Sequence, residues 1–342
     1  MAKIRKLKVC DISELKKMIS MVSDTDNESI SPVSFGPFGF KLLILFPFNI
    51  INDLLPLRYK FFQEAFVSKE DRKINGMIAL KPQPGNPFCW NISKLFLSKN
   101  SYDAGRQLLG FAMARYGALG ANTFTVRIDS ELDELMELFA KGCGFRMCSS
   151  EQLWKMEKIG TTDSSFNKGF FRPFKNSDAE AVKNIHNDNI FQHFRYSIEK
   201  TKKEFNNIIF SGLNKTSYFK YVIEENSSVK GYFCIQTDDN KNFILDIELV
   251  QGYDDCYGDV INFAISRILA RKKDFNLFVI NKKYQVSGAK IEEYLTKNSF
   301  TCVKSQIVMV KDYYKKIKEE QRSQKPAIVF NDISRKPAFK VN

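Results

Sequence analysis

An internal repeat constrains this 342-residue chain more than any other feature of its sequence. Residues 4–18, IRKLKVCDISELKKM, align with residues 171–185, FRPFKNSDAEAVKNI. Each segment reads as a short strand, an aspartate at a helix start and an amphipathic helix. Residues 65–80 align with residues 220–235, and both read as hairpins. Because such self-similarity indicates a duplicated unit, the sequence predicts two copies of one domain.

The order of the remaining segments repeats as well. In the first copy, a fourth strand at residues 90–98 is followed by a central helix at 105–117, a fifth strand at 123–128 and a closing helix–strand pair at 134–156. The second copy repeats this order at 242–250, 258–270, 276–281 and 291–311. We therefore expect an α/β (α+β) fold with mixed sheets, in two tandem domains at 1–157 and 170–312. Residues 158–169, which are rich in Gly, Ser and Thr, are expected to be a linker, and residues 313–342 a basic, flexible tail.

The formal net charge of +13 raises the question of a nucleic-acid partner. Residues 311–342 carry nine Lys and Arg against four Asp and Glu, so the tail supplies +5 of that charge. The remaining positive charge is dispersed rather than gathered into a basic stripe. We therefore expect no specific nucleic-acid binding.

The cysteines and histidines narrow the possible chemistry. None of the seven cysteines forms a CxxC pair, and most lie in apolar runs, which is typical of a reducing compartment and predicts a cytoplasmic protein. With only His186 and His193 present, a histidine-based metal site or a nucleophile–histidine relay is poorly supplied. We expect no metal, and structural roles for both histidines.

The most apolar stretch, residues 38–57, is a poor candidate for a membrane span. A bilayer requires about 20 consecutive apolar residues, and this stretch is interrupted by Lys41, Pro47, Asp53 and Pro56. Core helices or the wall of an apolar substrate site are the preferred interpretation, and membrane contact is not expected.

The repeated unit resembles the GCN5-related N-acetyltransferase superfamily. The resemblance covers residues 3–156 and 170–311. It rests on the opening strand–Asp–helix, the helix that springs from the loop after the fourth strand, and the closing helix–Gly-Phe–strand at Gly144-Phe145. Residues 101–108, SYDAGRQL, are similar to a SYDxGxQL stretch of bacterial, cyanobacterial-type members. The resemblance implies acyl transfer from acetyl-CoA and, in each copy, a mixed sheet splayed between its fourth and fifth strands.

The resemblance also implies where the cofactor binds in the first copy. In the family, the loop after the fourth strand holds the pyrophosphate of acetyl-CoA and the strand itself contacts the pantetheine arm, which gives the candidates Leu95, Phe96, Leu97, Asn100, Ser101, Tyr102, Asp103, Ala104, Gly105 and Arg106. A helix N-terminus favours a phosphate because its N–H groups are unpaired and carry partial positive charge.

The loop departs from the family pattern Gln/Arg-x-x-Gly-x-Gly/Ala. Asn100, Asp103 and Gly105 occupy its three fixed positions, and only Gly105 matches. The carboxylate of Asp103 is unfavourable beside a pyrophosphate unless it points away or is offset by Arg106. The alternative is a plain strand–helix turn capped by Asp103.

The second copy is a weaker candidate for the cofactor. Its loop, residues 250–261, has Gly258 near the matching place, but Asp254 and Asp255 crowd it with negative charge. We expect no phosphate binding there.

Candidate catalytic groups lie mainly in the second copy. The family often uses a tyrosine on the last helix to protonate the leaving thiolate; that place holds Phe139 in the first copy and Tyr294 in the second. Asp246 and Glu248 fall on one face of the second copy's fourth strand and are candidate bases. In the first copy, Tyr102 is the candidate hydroxyl. The alternatives are a solvated strand face for the two carboxylates and helix–sheet packing for Tyr294.

These observations favour an acyltransferase that moves an acetyl group from acetyl-CoA to a small-molecule or peptide amine. One alternative is a non-catalytic acyl-CoA-binding or scaffold protein with the same fold, since Phe139 has no proton to give. Another is an aminoacyltransferase of the peptidoglycan-precursor type, because those enzymes also pair two copies of this fold. The sequence specifies neither the acceptor nor the oligomeric state.

Overall fold

The computed structural model describes residues 3–23, 63–71, 73–83, 86–98, 101–157, 170–206 and 217–313. The strands are β1 Lys3–Lys6, β2 Glu64–Glu70, β3 Lys73–Gln83, β4 Asn86–Leu97, β5 Thr123–Asp129, β6 Arg146–Met156, β7 Phe171–Pro173, β8 Ser217–Glu225, β9 Ser228–Thr237, β10 Asn242–Leu249, β11 Asn276–Lys282 and β12 Phe300–Asp312. The α-helices are α1 Ile12–Ser23, α2 Tyr102–Ala118, α3 Asp133–Glu137, α4 Ala179–Asn189, α5 Arg195–Ile198, α6 Lys202–Phe205, α7 Tyr257–Leu269 and α8 Gly288–Lys297.

These strands form one mixed sheet, whereas the sequence predicts a separate sheet for each copy. The strand order is β1-β2-β3-β4-β5-β12-β6-β11-β10-β9-β8-β7. The last strand of each copy pairs with the fifth strand of the other, β12 with β5 and β6 with β11, and the two exchanged strands pair antiparallel at the centre. The predicted α/β mixed-sheet fold is therefore confirmed, with the two copies joined by strand exchange.

The opening strand–helix turn is the same in both copies. Arg5 donates two hydrogen bonds of 2.7 Å to Asp11, and Arg172 donates bonds of 2.8 and 3.0 Å to Asp178. Each aspartate also accepts a backbone N–H three residues before it, at the start of a 3₁₀ turn. The aspartates thus fix the entry to α1 and α4, as the sequence alignment predicts.

The aligned hairpins are also equivalent. The alignment places Gly76 opposite Gly231, and these residues pair with Leu97 of β4 and Leu249 of β10 respectively. A β-carbon would lie 2.9 Å from Leu97 Cδ2 at the first glycine and 2.7 Å from Leu249 Cδ2 at the second. The same close approach therefore occurs at an equivalent glycine in both copies.

The two larger cores lie on the sheet face that α2 and α7 cover. In the first copy, Leu108 and Leu109 of α2 pack on Ile78, Phe124 and other apolar residues of the sheet. The second copy repeats this arrangement with α7. The opposite face carries smaller cores against α1 and α4.

Several predicted segments lie outside the described residues: the apolar stretch 38–57, the linker 158–169 and all of the tail after residue 313. The domain boundaries thus stay predictions. Within the described residues, no helix combines the length and the apolar character that crossing a membrane requires.

Candidate functional site

A gap opens in the sheet of the first copy between β4 and β5. The two strands pair in parallel from Cys89 with Thr123 to Ile92 with Val126, and the pairing then ends although both strands continue. Residues 95–97 of β4 remain paired with β3 on their other side. Their backbone groups that point toward β5 are therefore available to a ligand, at the place where the sequence predicts the pantetheine arm.

The helix after β4 begins at the mouth of this gap. Ser101 immediately precedes α2, and its N–H donates to the carbonyl of Ser98 at 3.1 Å. By helix geometry, the first three N–H groups of α2 (Tyr102, Asp103 and Ala104) have no partner inside the helix. Together they form a ready donor group for an anion.

Gly105 lies inside α2 rather than at its start. The sequence places the helix start at this residue, but α2 begins three residues earlier, and the N–H of Gly105 already donates to Ser101 at 3.1 Å. A β-carbon here would lie 2.8 Å from Leu97 Cδ1 and 3.0 Å from Leu138 Cδ2. Glycine at this position thus allows α2 to pack closely on Leu97 and Leu138.

The charges at the start of α2 are largely solvated. Asp103 lies within the first turn and does not cap the helix; 83% of its side chain is exposed, and it lies 3.6 Å from Arg106. The positive charge of Arg106 therefore offsets the carboxylate of Asp103, as the sequence suggests. Asn100 lies outside the described residues.

Tyr102 lies between α2 and the π-helical turn Leu138–Gly142 that follows α3. A β-carbon on Gly142 would lie 3.8 Å from the hydroxyl oxygen of Tyr102. Partial burial and the nearby carboxylate of Glu137 raise the pKa of Tyr102, so its hydroxyl keeps its proton at neutral pH. Phe139, at the family's tyrosine position, is fully buried and packs edge-on against Phe145.

The corresponding gap of the second copy is filled by a buried ion cluster. The strands β10 and β11 pair as far as Asp246 with Ile280 and then diverge. There Lys282 of β11 reaches Asp246 Oδ1 at 2.7 Å and Glu248 Oε1 at 2.6 Å. The two carboxylates do share one strand face, as the sequence predicts, but Glu248 is fully buried rather than solvated.

Both carboxylate oxygens of Glu248 accept hydrogen bonds. Its Oε1 also contacts His186 Nδ1 of α4 at 2.7 Å, and Gln285 donates to Oε2 at 2.5 Å. Burial alone would raise the pKa of Glu248, but Lys282 and His186 hold it well below its usual value. Such a carboxylate is a weak base, which argues against the catalytic role considered for it.

His186 is a neutral, buried member of this cluster. Burial and the charge of Lys200 lower its pKa. Because an ionised carboxylate only accepts hydrogen bonds, Nδ1–H donates to Glu248. Among the described residues, its Nε2 has no hydrogen-bond partner. The sequence predicts a structural role for His186, and the Nδ1 hydrogen bond is consistent with that role. His193, by contrast, is exposed and stacks with Phe191.

The helix start of the second copy carries negative charge. A 3₁₀ turn, Asp254–Cys256, precedes α7, whose first turn holds Asp259. Lys290 of α8 pairs with Asp254. The hydroxyl oxygen of Tyr294 would lie 3.1 Å from a β-carbon on Gly258, so this tyrosine packs against the helix start, where burial raises its pKa.

Sequence reasoning missed the residues that complete the second gap. His186, Lys282 and Gln285 lie 62, 34 and 37 residues from Glu248. One signal was available: Lys282 ends the apolar strand NLFVINK, where a charge inside the core requires a partner.

Comparisons with known proteins identify the fold. No protein-family model matches the sequence, nor does any curated protein. A GCN5-related N-acetyltransferase from Sphaerobacter thermophilus is similar in structure, with a TM-score of 0.57, 11% identity and coverage of 92% of this chain and 97% of that one. A tandem GNAT protein from the clavulanic acid biosynthesis pathway has a TM-score of 0.54, 10% identity and coverage of 93% and 100%.

Proposed function

We propose that this chain, which has the fold of tandem GCN5-related N-acetyltransferases, transfers an acetyl group from acetyl-CoA to an amine. The first copy is assigned the cofactor and the chemistry. A fold of this kind supports acyl transfer in general; the donor, the acceptor and the site residues are proposals.

One observation carries this assignment: the β4–β5 gap of the first copy leads to the start of α2, whereas Lys282 occupies the equivalent gap of the second copy. The residues present fit acetyl-CoA. Backbone groups of Leu95, Phe96 and Leu97 would contact the pantetheine arm, and the N–H groups of Tyr102, Asp103 and Ala104 the pyrophosphate. Arg106, with 61% of its side chain exposed, adds a positive charge beside them.

The chemistry divides between the chain and its substrates. When bound, acetyl-CoA would supply the acyl group as a reactive thioester. The chain would orient the two substrates, and the hydroxyl of Tyr102 would donate a proton to the leaving thiolate. Phe96 occupies the position that Glu248 has in the second copy, so β4 offers no carboxylate there. We assign removal of the amine proton to water.

Binding of acetyl-CoA to the start of α2 can be tested with two substitutions at Asp103. We expect Asp103→Ala to bind acetyl-CoA about two- to fivefold more tightly than the wild type, because a carboxylate near the phosphates is removed. Asp103→Pro removes the same carboxylate and also the N–H donor, while proline is tolerated in a first helical turn. It should therefore bind about tenfold more weakly than Asp103→Ala.

The measurement is calorimetric titration of acetyl-CoA, with circular dichroism to verify helix content. Asp259→Pro, in the first turn of α7, is the matched control and should leave the affinity unchanged. Equal affinities of Asp103→Pro and Asp103→Ala would show that the start of α2 does not bind the cofactor.

The assigned proton donor gives a second test. We expect Tyr102→Phe to lower kcat roughly tenfold to a thousandfold, since general acid catalysis typically contributes on this scale and water can partly replace the hydroxyl for a thiol leaving group. Affinity for acetyl-CoA should stay within about twofold, because the backbone donors are intact. Release of free CoA in the presence of a panel of primary amines gives kcat.

Tyr294→Phe is the control and should retain full turnover. If Tyr294→Phe loses turnover and Tyr102→Phe does not, the chemistry belongs to the second copy.

A second candidate function, acyl-CoA binding without catalysis, is favoured by Phe96 and Phe139 at the two positions where acid–base groups are expected. Tight acetyl-CoA binding with no CoA release from any amine would support that alternative.

A further inference from the structure

The face of the sheet opposite α2 is unexpectedly polar beside the first gap. Lys81 pairs with Asn91 across β3 and β4, and Asn91 pairs with Thr125 across β4 and β5, so these side chains form one row on one face. Arg127 follows two residues after Thr125 on the same face. We call Lys81, Asn91, Thr125 and Arg127 the polar floor.

The other face of the same strands is apolar. It presents Ile78, Leu80, Ile92, Phe124 and Val126, all buried against α2 and its neighbours. An all-parallel sheet covered by helices is apolar on both faces, whereas an antiparallel pair such as β3 and β4 can carry one polar face. The polar floor therefore indicates a surface that contacts something polar.

Arg127 is held rigidly in this floor. Its Nε and Nη2 donate to the two oxygens of Glu151 at 2.9 and 3.1 Å. Glu151 is itself fixed by Gln306, at 2.6 Å, and by Tyr284, at 3.3 Å. Among the described residues, Nη1 of Arg127 makes no hydrogen bond, and 30% of the side chain is exposed. A guanidinium positioned in this way can still donate to a ligand.

Lys81 adds a second cation to the floor, and unlike Arg127 it has no counter-ion among the described residues. No carboxylate in the described part of the chain lies within ion-pair distance of it. Its side chain reaches solvent although protein atoms crowd the ammonium, and this crowding together with the charge of Arg127 lowers its pKa. Two neighbouring carboxylates have other partners: Asp129 of β5 pairs with Lys304, and Glu204 accepts from Gln83 of β3.

The floor adjoins the proposed reaction site. The β4–β5 pairing ends at Ile92 and Val126, and Arg127 is the next residue along β5. An acceptor whose amine reaches the gap from this face must therefore lie over the floor.

We propose that the acceptor amine carries an anionic group, a carboxylate or a phosphate, which binds between Lys81 and Arg127. This inference rests on the proposed function, because it names the substrate class of the same site. The anion offsets the repulsion between the two cations and takes hydrogen bonds from Lys81 Nζ and Arg127 Nη1.

Binding is tested on the full chain with inorganic phosphate and acetate as probes, followed through the side-chain ¹⁵N resonance of Arg127. We expect saturable shifts in the wild type and about tenfold weaker binding in Lys81→Met, the loss typical of one charge-assisted hydrogen bond. Lys81→Arg should restore affinity, and Lys272→Met, at an exposed loop position, should match the wild type. No response of Arg127 to either anion, or equal binding by Lys81→Met, would overturn the proposal.

The kinetic test compares amines that differ in one charge. CoA release is measured with two pairs of amines: β-alanine and β-alaninamide, and O-phosphoethanolamine and ethanolamine. We expect the member of each pair that carries the anionic group to have the higher kcat/KM. In Lys81→Met this preference should fall about tenfold. Acetyl-CoA affinity should be the same in Lys81→Met and the wild type. If the anions bind the floor and acetyl-CoA does not bind, the proposed function is wrong and the anion site is supported. If acetyl-CoA binds and the anions do not, only the proposed anion site is wrong.

Discussion

Lys282→Met is expected to lower the free energy of unfolding by about 3–5 kcal/mol at pH 7, the usual cost of removing one partner from a buried ion pair. The ammonium lies 2.7 Å from Asp246 Oδ1 and 2.6 Å from Glu248 Oε1, and both Lys282 and Glu248 are buried. Methionine fills a similar volume, so the loss reports the unpaired carboxylates rather than a cavity. Denaturant unfolding at pH 7 measures it.

The sign of the pH dependence separates this explanation from poor packing. In the wild type the pKa of Glu248 is depressed, so its stabilising contribution is present above the unfolded pKa of about 4.3 and is lost as the pH falls through the folded value. Without Lys282, burial dominates and raises that pKa. The deficit of Lys282→Met relative to the wild type should therefore shrink as the pH falls toward 5.

Two further variants complete the experiment. Glu248→Gln and Asp246→Asn together, in the Lys282→Met background, should recover most of the lost stability because no charge is left buried. Lys297→Met removes an exposed lysine that pairs with Glu293 and should leave the unfolding midpoint unchanged. A deficit that is constant between pH 7 and pH 5 would contradict the ionic origin.

The parts of the fold that the sequence predicts are those set by short-range geometry. The Arg5–Asp11 and Arg172–Asp178 pairs join residues six apart, so the aligned sequences carry the whole motif. The hairpins follow for the same reason. Hydrophobic alternation, however, specifies which face of a strand is buried and not which strand lies beside it. The exchange of β6 and β12 therefore could not be read from the sequence.

The candidate site shows the same division. The described members of the predicted cofactor set lie along the β4–β5 gap or in the first turn of α2. The close packing at Gly105 was not predicted, because its contacts, Leu97 and Leu138, come from two other elements. The burial of Glu248 likewise depends on His186 and Lys282, from a distant helix and strand. Alternation along β10 alone is equally compatible with a solvated face.

Duplication within one chain allows the two copies to diverge at equivalent positions. Residues 95–97 beside the first gap are apolar, whereas three charged side chains, Asp246, Glu248 and Lys282, fill the second gap. The centre of the sheet shows a similar asymmetry. Phe145 and Phe300 mark equivalent points in the closing strands; six residues further on lie Glu151 and Gln306, which pair directly across β6 and β12. The local two-fold axis that relates the copies therefore passes through this pair.

Two identical acidic residues at that axis would face each other inside the protein. Gln306 is fully buried and donates to Glu151 at 2.6 Å, while Arg127 neutralises Glu151 from β5. We expect Gln306→Glu to lower the free energy of unfolding by about 3–5 kcal/mol at pH 7, because it buries a second carboxylate with no cation assigned to it. Thermal and denaturant unfolding of the full chain measure the loss.

The matched control is Gln306→Met, which also loses the hydrogen bond to Glu151 but adds no charge and should cost only about 1–2 kcal/mol. The new carboxyl of Gln306→Glu would have a folded pKa above its unfolded value of about 4.3, so its penalty is fully present above the folded pKa and disappears as the pH falls below the unfolded one. Its stability should thus approach that of Gln306→Met in acid. If the two variants differ equally at pH 7 and pH 4.5, or do not differ at all, the axis tolerates two carboxylates, and the Glu–Gln difference between the copies has no electrostatic cause.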